Sequence, residues 1–181
     1  MDDVLAIGTH HALHSLRKQP GHGPTFELAG ELMRVAASHD EPTSRMIRLL
    51  LVDDHALVVM AMTAAFEDVA DIELVATAAT ADDAVVEAVR HRPDVVLLDR
   101  RLPDGDGVDA IGPLLEALPG VRVLVFTGAA DQSVADRVAD AGGAGILLKA
   151  GVLEDMLATI RSVAAGNSSF DVRPSGRPRV R

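Results

Sequence analysis

Asp99 closes the run Pro93-Asp94-Val95-Val96-Leu97-Leu98-Asp99 and opens a polar stretch, Arg100-Arg101-Leu102-Pro103-Asp104-Gly105-Asp106-Gly107. A carboxylate at the mouth of an apolar run is a chemical address, and three other apolar runs end in reactive side chains. Asp53-Asp54 follow Ile47–Val52, Thr127 follows Val121–Phe126, and Lys149 follows Gly145–Leu148. Carboxylates gathered together repel one another, and a hard divalent cation relieves the repulsion. Mg²⁺ prefers carboxylate oxygens and keeps waters that phosphoryl oxygens can replace. A carboxylate can also act as a nucleophile and form an acyl phosphate. Charge on a phosphoryl group in transfer is matched by a metal ion, a cation and a hydroxyl donor. The set therefore predicts a Mg²⁺-dependent phosphoryl-accepting site, with Asp99 as nucleophile, Asp53 and Asp54 beside it, and Lys149 and Thr127 as charge partners.

Taken singly, each residue has an ordinary role. Asp53-Asp54 would cap a following helix and favour its dipole; Thr127 would be a strand-end residue and Lys149 a solvated edge. Their joint placement argues otherwise. In a doubly wound parallel sheet, ligands sit outside the carboxyl ends of the strands, and these groups fall one strand end after another.

The elements that must position them follow from periodicity. From Met46 onward, β-branched runs alternate with helical patterns, the mark of repeated βα units and a parallel sheet. Strands are expected at Ile47–Val52, Ile72–Ala78, Asp94–Leu98, Val121–Phe126 and Gly145–Leu148. Helices are expected at Ala56–Phe66, after Thr80 through Arg90, and from Gln132 to Ala141. Thr80 offers a side-chain cap, with Asp83 at the capping-box position. A short helix should begin with Pro113 in its first turn and end by Leu118, because Pro cannot donate within a helix. Leu153, Met156, Leu157, Ile160, Val163 and Ala164 repeat at helical spacing, and Gly166 should end that helix.

Composition narrows the class. The 181 residues suffice for one domain with flanking sequence. The absence of Cys excludes disulfides, thiolate metal sites and thiol catalysis, and fits a reducing cytoplasm. Residues 46–172 carry 21 acids against nine bases, a net of −12, which argues against gripping nucleic acid through phosphates. The longest apolar stretch, Ala56 to Phe66, is too short for a membrane span, and the start lacks a signal-peptide pattern.

The ends differ from the body. Residues 1–45 hold five of the seven His and are expected to form a poorly ordered extension. His10 and His14 stand at i,i+4, but no acidic or Cys ligand adjoins them, so a metal is not expected there. Met46 has the look of a natural protein start, so the first 45 residues read as a mis-called start. Residues 171–181 read as a basic linker or tail, with four Arg and no acid in the last nine positions.

With these residues in view, the stretch 46–170 resembles a response-regulator receiver domain of two-component signalling. The Asp53-Asp54 pair, Asp-x-x-Leu-Pro-x-x-Asp-Gly from Asp99 to Gly107, the strand-end Thr127 and Leu147-Leu148-Lys149 carry the resemblance. Val52-Asp53-Asp54-His55-Ala56-Leu57-Val58 and Ile160-Arg161-Ser162-Val163-Ala164-Ala165-Gly166 look like the NarL/FixJ (LuxR-type) subfamily. The resemblance implies a flavodoxin-like (βα)5 fold with strand order 2-1-3-4-5. Asp99 would be the phosphoacceptor and also a Mg²⁺ ligand, Asp54 a direct Mg²⁺ ligand, Asp53 a ligand through water, and the Arg101 backbone carbonyl a further ligand. Thr127 and Lys149 would contact the phosphoryl group. The phosphate would come from a sensor histidine kinase in a cytoplasmic phosphorelay, and the apolar helices themselves would support a weak phosphorylation-dependent homodimer. Beyond its own phosphorylation and dephosphorylation such a domain is not an enzyme.

Two departures stand out. Ile146 occupies the place, three residues before the Lys, where the family usually has Tyr or Phe. The subfamily also continues into a helix-turn-helix DNA-binding domain, whereas this sequence ends at Arg181. A stand-alone receiver and the receiver part of a LuxR-type transcription regulator are both consistent with the sequence. Arg101, two residues past Asp99, suggests a shielded acyl phosphate and slow self-dephosphorylation. A phosphatase-like hydrolase is disfavoured because Arg101 stands where such enzymes carry a second Asp. Gly142-Gly143-Ala144-Gly145 is no phosphate loop, since no Ser or Thr follows Lys149. Asp104-Gly105-Asp106-Gly107 lacks the far ligand of a calcium loop.

Overall fold

Alternation of side chains along each strand sends Leu50 and Val52 to one face of the sheet and Leu49 and Leu51 to the other, all fully buried. A strand apolar on both faces needs helices on both sides. The computed structural model, which describes residues 45–170, supplies them. The strands are β1 (Ile47–Val52), β2 (Ile72–Ala78), β3 (Val95–Asp99), β4 (Arg122–Thr127) and β5 (Gly145–Leu148). They form one parallel sheet in the order β2-β1-β3-β4-β5. The flavodoxin-like arrangement implied by the sequence is therefore the one observed.

Five helices connect them: α1 (Ala56–Glu67), α2 (Ala81–His91), α3 (Ile111–Ala117), α4 (Gln132–Asp140) and α5 (Leu153–Ala164). One core joins Leu50, Val96, Leu98, Val123, Val125 and Ile146 to α2, α3 and α4. The other joins Leu49, Leu97, Leu124, Phe126 and Leu147 to α1 and α5. Thr80 caps α2 by accepting from Asp83 N at 3.1 Å, as its spacing implies. Pro113 lies in the first turn of α3, where a missing N–H costs least.

Strands β3 and β4 each sit one residue later than the sequence suggests. Asp99 pairs with Phe126 and Thr127 with Leu148, so both site residues are the last members of their strands. The polar stretch after Asp99 is also more ordered than its composition implies. Arg101–Leu102 and Gly105–Asp106 form a two-residue antiparallel ribbon, followed by a 3₁₀ turn over Gly107–Ala110.

After α5, Gly166 turns the chain with φ 96°. The following segment runs beside β5: Ser169 N donates to Ala144 O at 2.9 Å and Ile146 N donates to Ser169 O at 2.8 Å. Gly145 permits this approach, because a Cβ there would lie 2.0 Å from Ser169 O. The Arg122 guanidinium donates to Asn167 O at 2.8 Å, and Phe170 packs on the α2–α4 core. The expectations for the extension (residues 1–44, including His10 and His14) and for the tail (171–181) lie outside the described residues. Among the described residues, no helix is long and apolar enough to cross a membrane.

Candidate functional site

Backbone pairing carries on past the strand ends and fixes the site residues. Asp53 N donates to Ala78 O at 3.0 Å, tying the end of β1 to β2. Lys149 N donates to Thr127 O at 2.8 Å, tying the end of β5 to β4. Residues nearly a hundred positions apart in sequence thus meet at one end of the sheet.

There Lys149 Nζ lies 2.7 Å from Asp53 Oδ2 and 2.8 Å from Asp99 Oδ2. The Asp53 side chain is completely buried and that of Asp99 almost so. Two buried carboxylates are tolerated because one ammonium lies between them and donates to both. Burial works against the charged amine, yet the hydrogen bonds and charges of the two aspartates outweigh it and raise the Lys149 pKa above its ordinary value. The ammonium also sits 5.3 Å from the Phe126 ring centroid, so the strand residue before Thr127 supplies a further favourable face.

Asp54 is more exposed, and between it and Asp53 stands His55, which sequence reasoning did not assign to the site. His55 Nδ1 lies 2.8 Å from Asp54 Oδ1 and 3.0 Å from Asp53 Oδ1, and 4.0 Å from Asp99 Oδ2. Its backbone N–H also donates to Asp53 Oδ1 at 2.9 Å. The only sequence signal was adjacency to the acid pair. Asp53, Asp54, His55 and Asp99 offer ligand atoms that all lie within 4.8 Å of one another. Three hard carboxylate donors in that radius fit Mg²⁺, which is content with few protein ligands and several waters.

Thr127 is buried at the end of β4, but its hydroxyl donates to Ala129 O at 3.0 Å. That bond holds the turn after β4; the structure brings Thr127 to the site by position and not by a contact with Asp99. Arg101 is exposed, and its backbone N–H donates to Asp99 Oδ1 at 3.3 Å. Ile146 is buried in the α2–α4 core, so no ring is available there to turn between inward and outward positions.

The loop beyond Asp99 is held from several sides. Gly107 N donates to Arg100 O at 2.7 Å, and a Cβ on Gly107 would lie 2.1 Å from the Asp99 carbonyl oxygen. Asp106 accepts from Val108 N at 3.1 Å and from Arg137 Nη1 of α4 at 2.9 Å. Partial burial pushes the Asp106 carboxyl up, but Arg137, the Val108 N–H and Arg100 together bring it below its ordinary value. Asp104, at the ribbon's tip, accepts from Ala81 N at 2.8 Å and from Asp82 N at 3.2 Å. Asp104 and Asp106 are thus spent on helix ends and an ion pair.

A doubly wound sheet with an acid cluster, a lysine and a hydroxyl residue at its strand ends defines a phosphoacceptor signalling domain. The family described as the response regulator receiver domain matches residues 49–161. Response regulator GacA of Pseudomonas aeruginosa is 36% identical over 121 residues, spanning 67% of this chain and 56% of GacA. Response regulator protein VraR of Staphylococcus aureus is 31% identical over 125 residues, spanning 69% of this chain and 60% of VraR. A LuxR-family two-component response regulator from Aurantimonas sp. SI85-9A1 superposes with a TM-score of 0.66 at 27% identity, covering 69% of this chain and 89% of that one. The chain belongs to the response-regulator receiver family, and Asp53, Asp54 and Asp99 form its aspartate cluster. It spans a little over half the length of the curated relatives it matches.

Proposed function

We propose that residues 46–170 form a receiver unit in which Asp99 accepts a phosphoryl group from the phosphohistidine of a sensor kinase. An Asp99 oxygen bonds to phosphorus as the P–N bond breaks, giving an acyl phosphate and returning the imidazole. The observation that carries this reading is Lys149 Nζ bridging Asp53 and Asp99 at 2.7 and 2.8 Å, beside the exposed Asp54. Asp54 and Asp53 would hold Mg²⁺ with the Arg101 carbonyl, and the ion would neutralise charge on the phosphoryl oxygens. Lys149 fixes the Asp99 carboxylate and stands ready to pair with a phosphoryl oxygen. Thr127 joins it once its hydroxyl leaves Ala129. His55 donates to the oxygens of Asp53 and Asp54 that a cation would use, so it competes for them.

Phosphorylation would switch a protein-interaction surface, and the domain would catalyse only its own phosphorylation and dephosphorylation. Exposed Arg101 beside Asp99 predicts a long-lived acyl phosphate. Likeness to a LuxR-family regulator, together with partial coverage of the relatives, favours a second reading: the receiver part of a DNA-binding transcription regulator.

The deciding experiment is intact-mass spectrometry after incubation with acetyl phosphate and Mg²⁺. A labile phosphoryl adduct should appear on the wild type, vanish on omission of Mg²⁺ and be missing in Asp99→Ala. A wild type that never acquires the adduct would overturn the proposal.

A further inference from the structure

The ribbon after Asp99 carries Arg101, yet its tip is exposed: Arg101, Pro103, Asp104 and Gly105 all face solvent. Leu102 alone of its first four residues is buried, in the α2–α4 core. A two-residue ribbon is too short to keep its own shape in water. What holds the tip is a contact across 23 positions of sequence. Asp104 Oδ2 accepts from both Ala81 N and Asp82 N, the first free backbone donors of α2. Thr80 takes the next donor, Asp83 N, so α2 has two capping side chains where one is usual, and the second comes from the phosphoacceptor loop.

We infer that Asp104 is a positioning residue for Mg²⁺, acting by pinning the loop of Arg101 to the N-terminus of α2. The inference rests on the phosphoacceptor reading above and adds a residue to it. Asp104 touches none of the acid cluster, so its effect passes through the backbone between Asp99 and Gly107. The Ala81 N–H, followed by that of Asp82, holds the Asp104 carboxyl below its ordinary pKa, so the pin is ionised at neutral pH. At the other end Gly107 closes on the Asp99 carbonyl. These anchors hold the ribbon at both ends, and a loop that populates its binding-competent form less often binds its ligand more weakly in proportion.

The test is a Mg²⁺ titration of Asp104→Ala, Asp104→Asn and Thr80→Ala, followed by backbone amide shifts of residues 53–54 and 99–101. One N-cap is typically worth about a five-fold factor in equilibrium. The Mg²⁺ concentration at half-saturation should therefore rise up to about five-fold in Asp104→Ala, and Asp104→Asn, which keeps the acceptor oxygen, should restore it. Thr80→Ala removes a cap from the same helix without touching the ribbon. It should lower the melting temperature much as Asp104→Ala does and leave Mg²⁺ half-saturation unchanged. Equal half-saturation in wild type and Asp104→Ala, or an equal rise in Thr80→Ala, would overturn the inference and reduce Asp104 to a helix cap. A wild type that binds no Mg²⁺ would instead defeat the phosphoacceptor reading itself. Should Asp104→Ala prove unfolded by its amide spectrum, Asp104→Glu, which keeps the charge but displaces the oxygens, replaces it with the same expected rise.

Discussion

Gly107→Ala is the sharpest single perturbation the fold offers. Its added Cβ would lie 2.1 Å from the Asp99 carbonyl oxygen and 3.1 Å from the carbonyl carbon, both backbone atoms of a buried strand end. Ordinary contact needs more than an ångström of extra separation. No flexible side chain can yield, so either the 3₁₀ turn or the end of β3 must move. Overpacking of this kind costs about 1–3 kcal/mol, and a backbone obstacle places it in the upper half of that range. With a urea slope of about 1–3 kcal/mol/M, the unfolding midpoint should fall by roughly 1 M. Moving β3 also moves Asp99, so the phosphoryl adduct formed with acetyl phosphate and Mg²⁺ should shrink along with stability. Gly112→Ala is the matched control. Gly112 lies in α3 with nothing within 4 Å of its added Cβ. There the change should be neutral or stabilising by up to about 1 kcal/mol, tempered because Pro113 follows. A Gly107→Ala protein with an unshifted midpoint and full phosphorylation would refute the steric reasoning.

Three further outcomes follow from the same geometry. Lys149→Met should destabilise the protein by about 2–3 kcal/mol at pH 7, as two buried carboxylates lose their partner, read as a fall in the urea midpoint. In the wild type the folded Lys149 pKa is raised, so its contribution is complete below the unfolded value of about 10.4 and is lost only as pH climbs through the higher folded one. Gly145→Ala should detach the Ser169 segment from β5, because the new Cβ would meet Ser169 O; hydrogen exchange at the Ile146 and Ser169 amides should accelerate more than at Leu124. Asp71 accepts from Arg161 Nε and Nη2 at 2.6 and 2.7 Å, a hydrogen-bonded pair that holds the Asp71 carboxyl below its ordinary value. A depressed carboxyl stabilises above its unfolded pKa and ceases to as pH falls through the folded one. Asp71→Asn should therefore cost about 0.5 kcal/mol at pH 7, small because the pair is solvent-screened, and thermal melts should converge with wild type in strong acid.

Much of this architecture is legible in the sequence, for physical reasons that vary by element. Strands β1, β3, β4 and β5 announce themselves because each is largely apolar on both faces and ends at or just before a polar residue, which also locates Asp53, Asp54, Asp99, Thr127 and Lys149. Thr80 and Gly166 are local signals and read correctly. His55 went unassigned because its neighbours in space, Asp53 Oδ1 and Asp54 Oδ1, are set by a turn whose geometry no periodicity encodes. The ribbon at Arg101–Asp106 is too short for any pattern to register. The pairing of Ser169 with β5 and the reach of Asp104 to α2 are contacts between distant segments that carry no mark in either one.

The Ser169 segment bears on how this molecule meets others of its kind. An open sheet presents two rows of unpaired backbone groups, and such rows invite strands from other molecules to extend the sheet. Here the edge beyond β5 is already occupied at Ala144 and Ile146 by the chain's own Ser169. A foreign strand seeking that edge would first have to displace it, against the grip of Arg122 on Asn167 O. The turn that follows the last helix thus stands where a foreign strand would add to β5; among the described residues, β2 is the sheet's other edge.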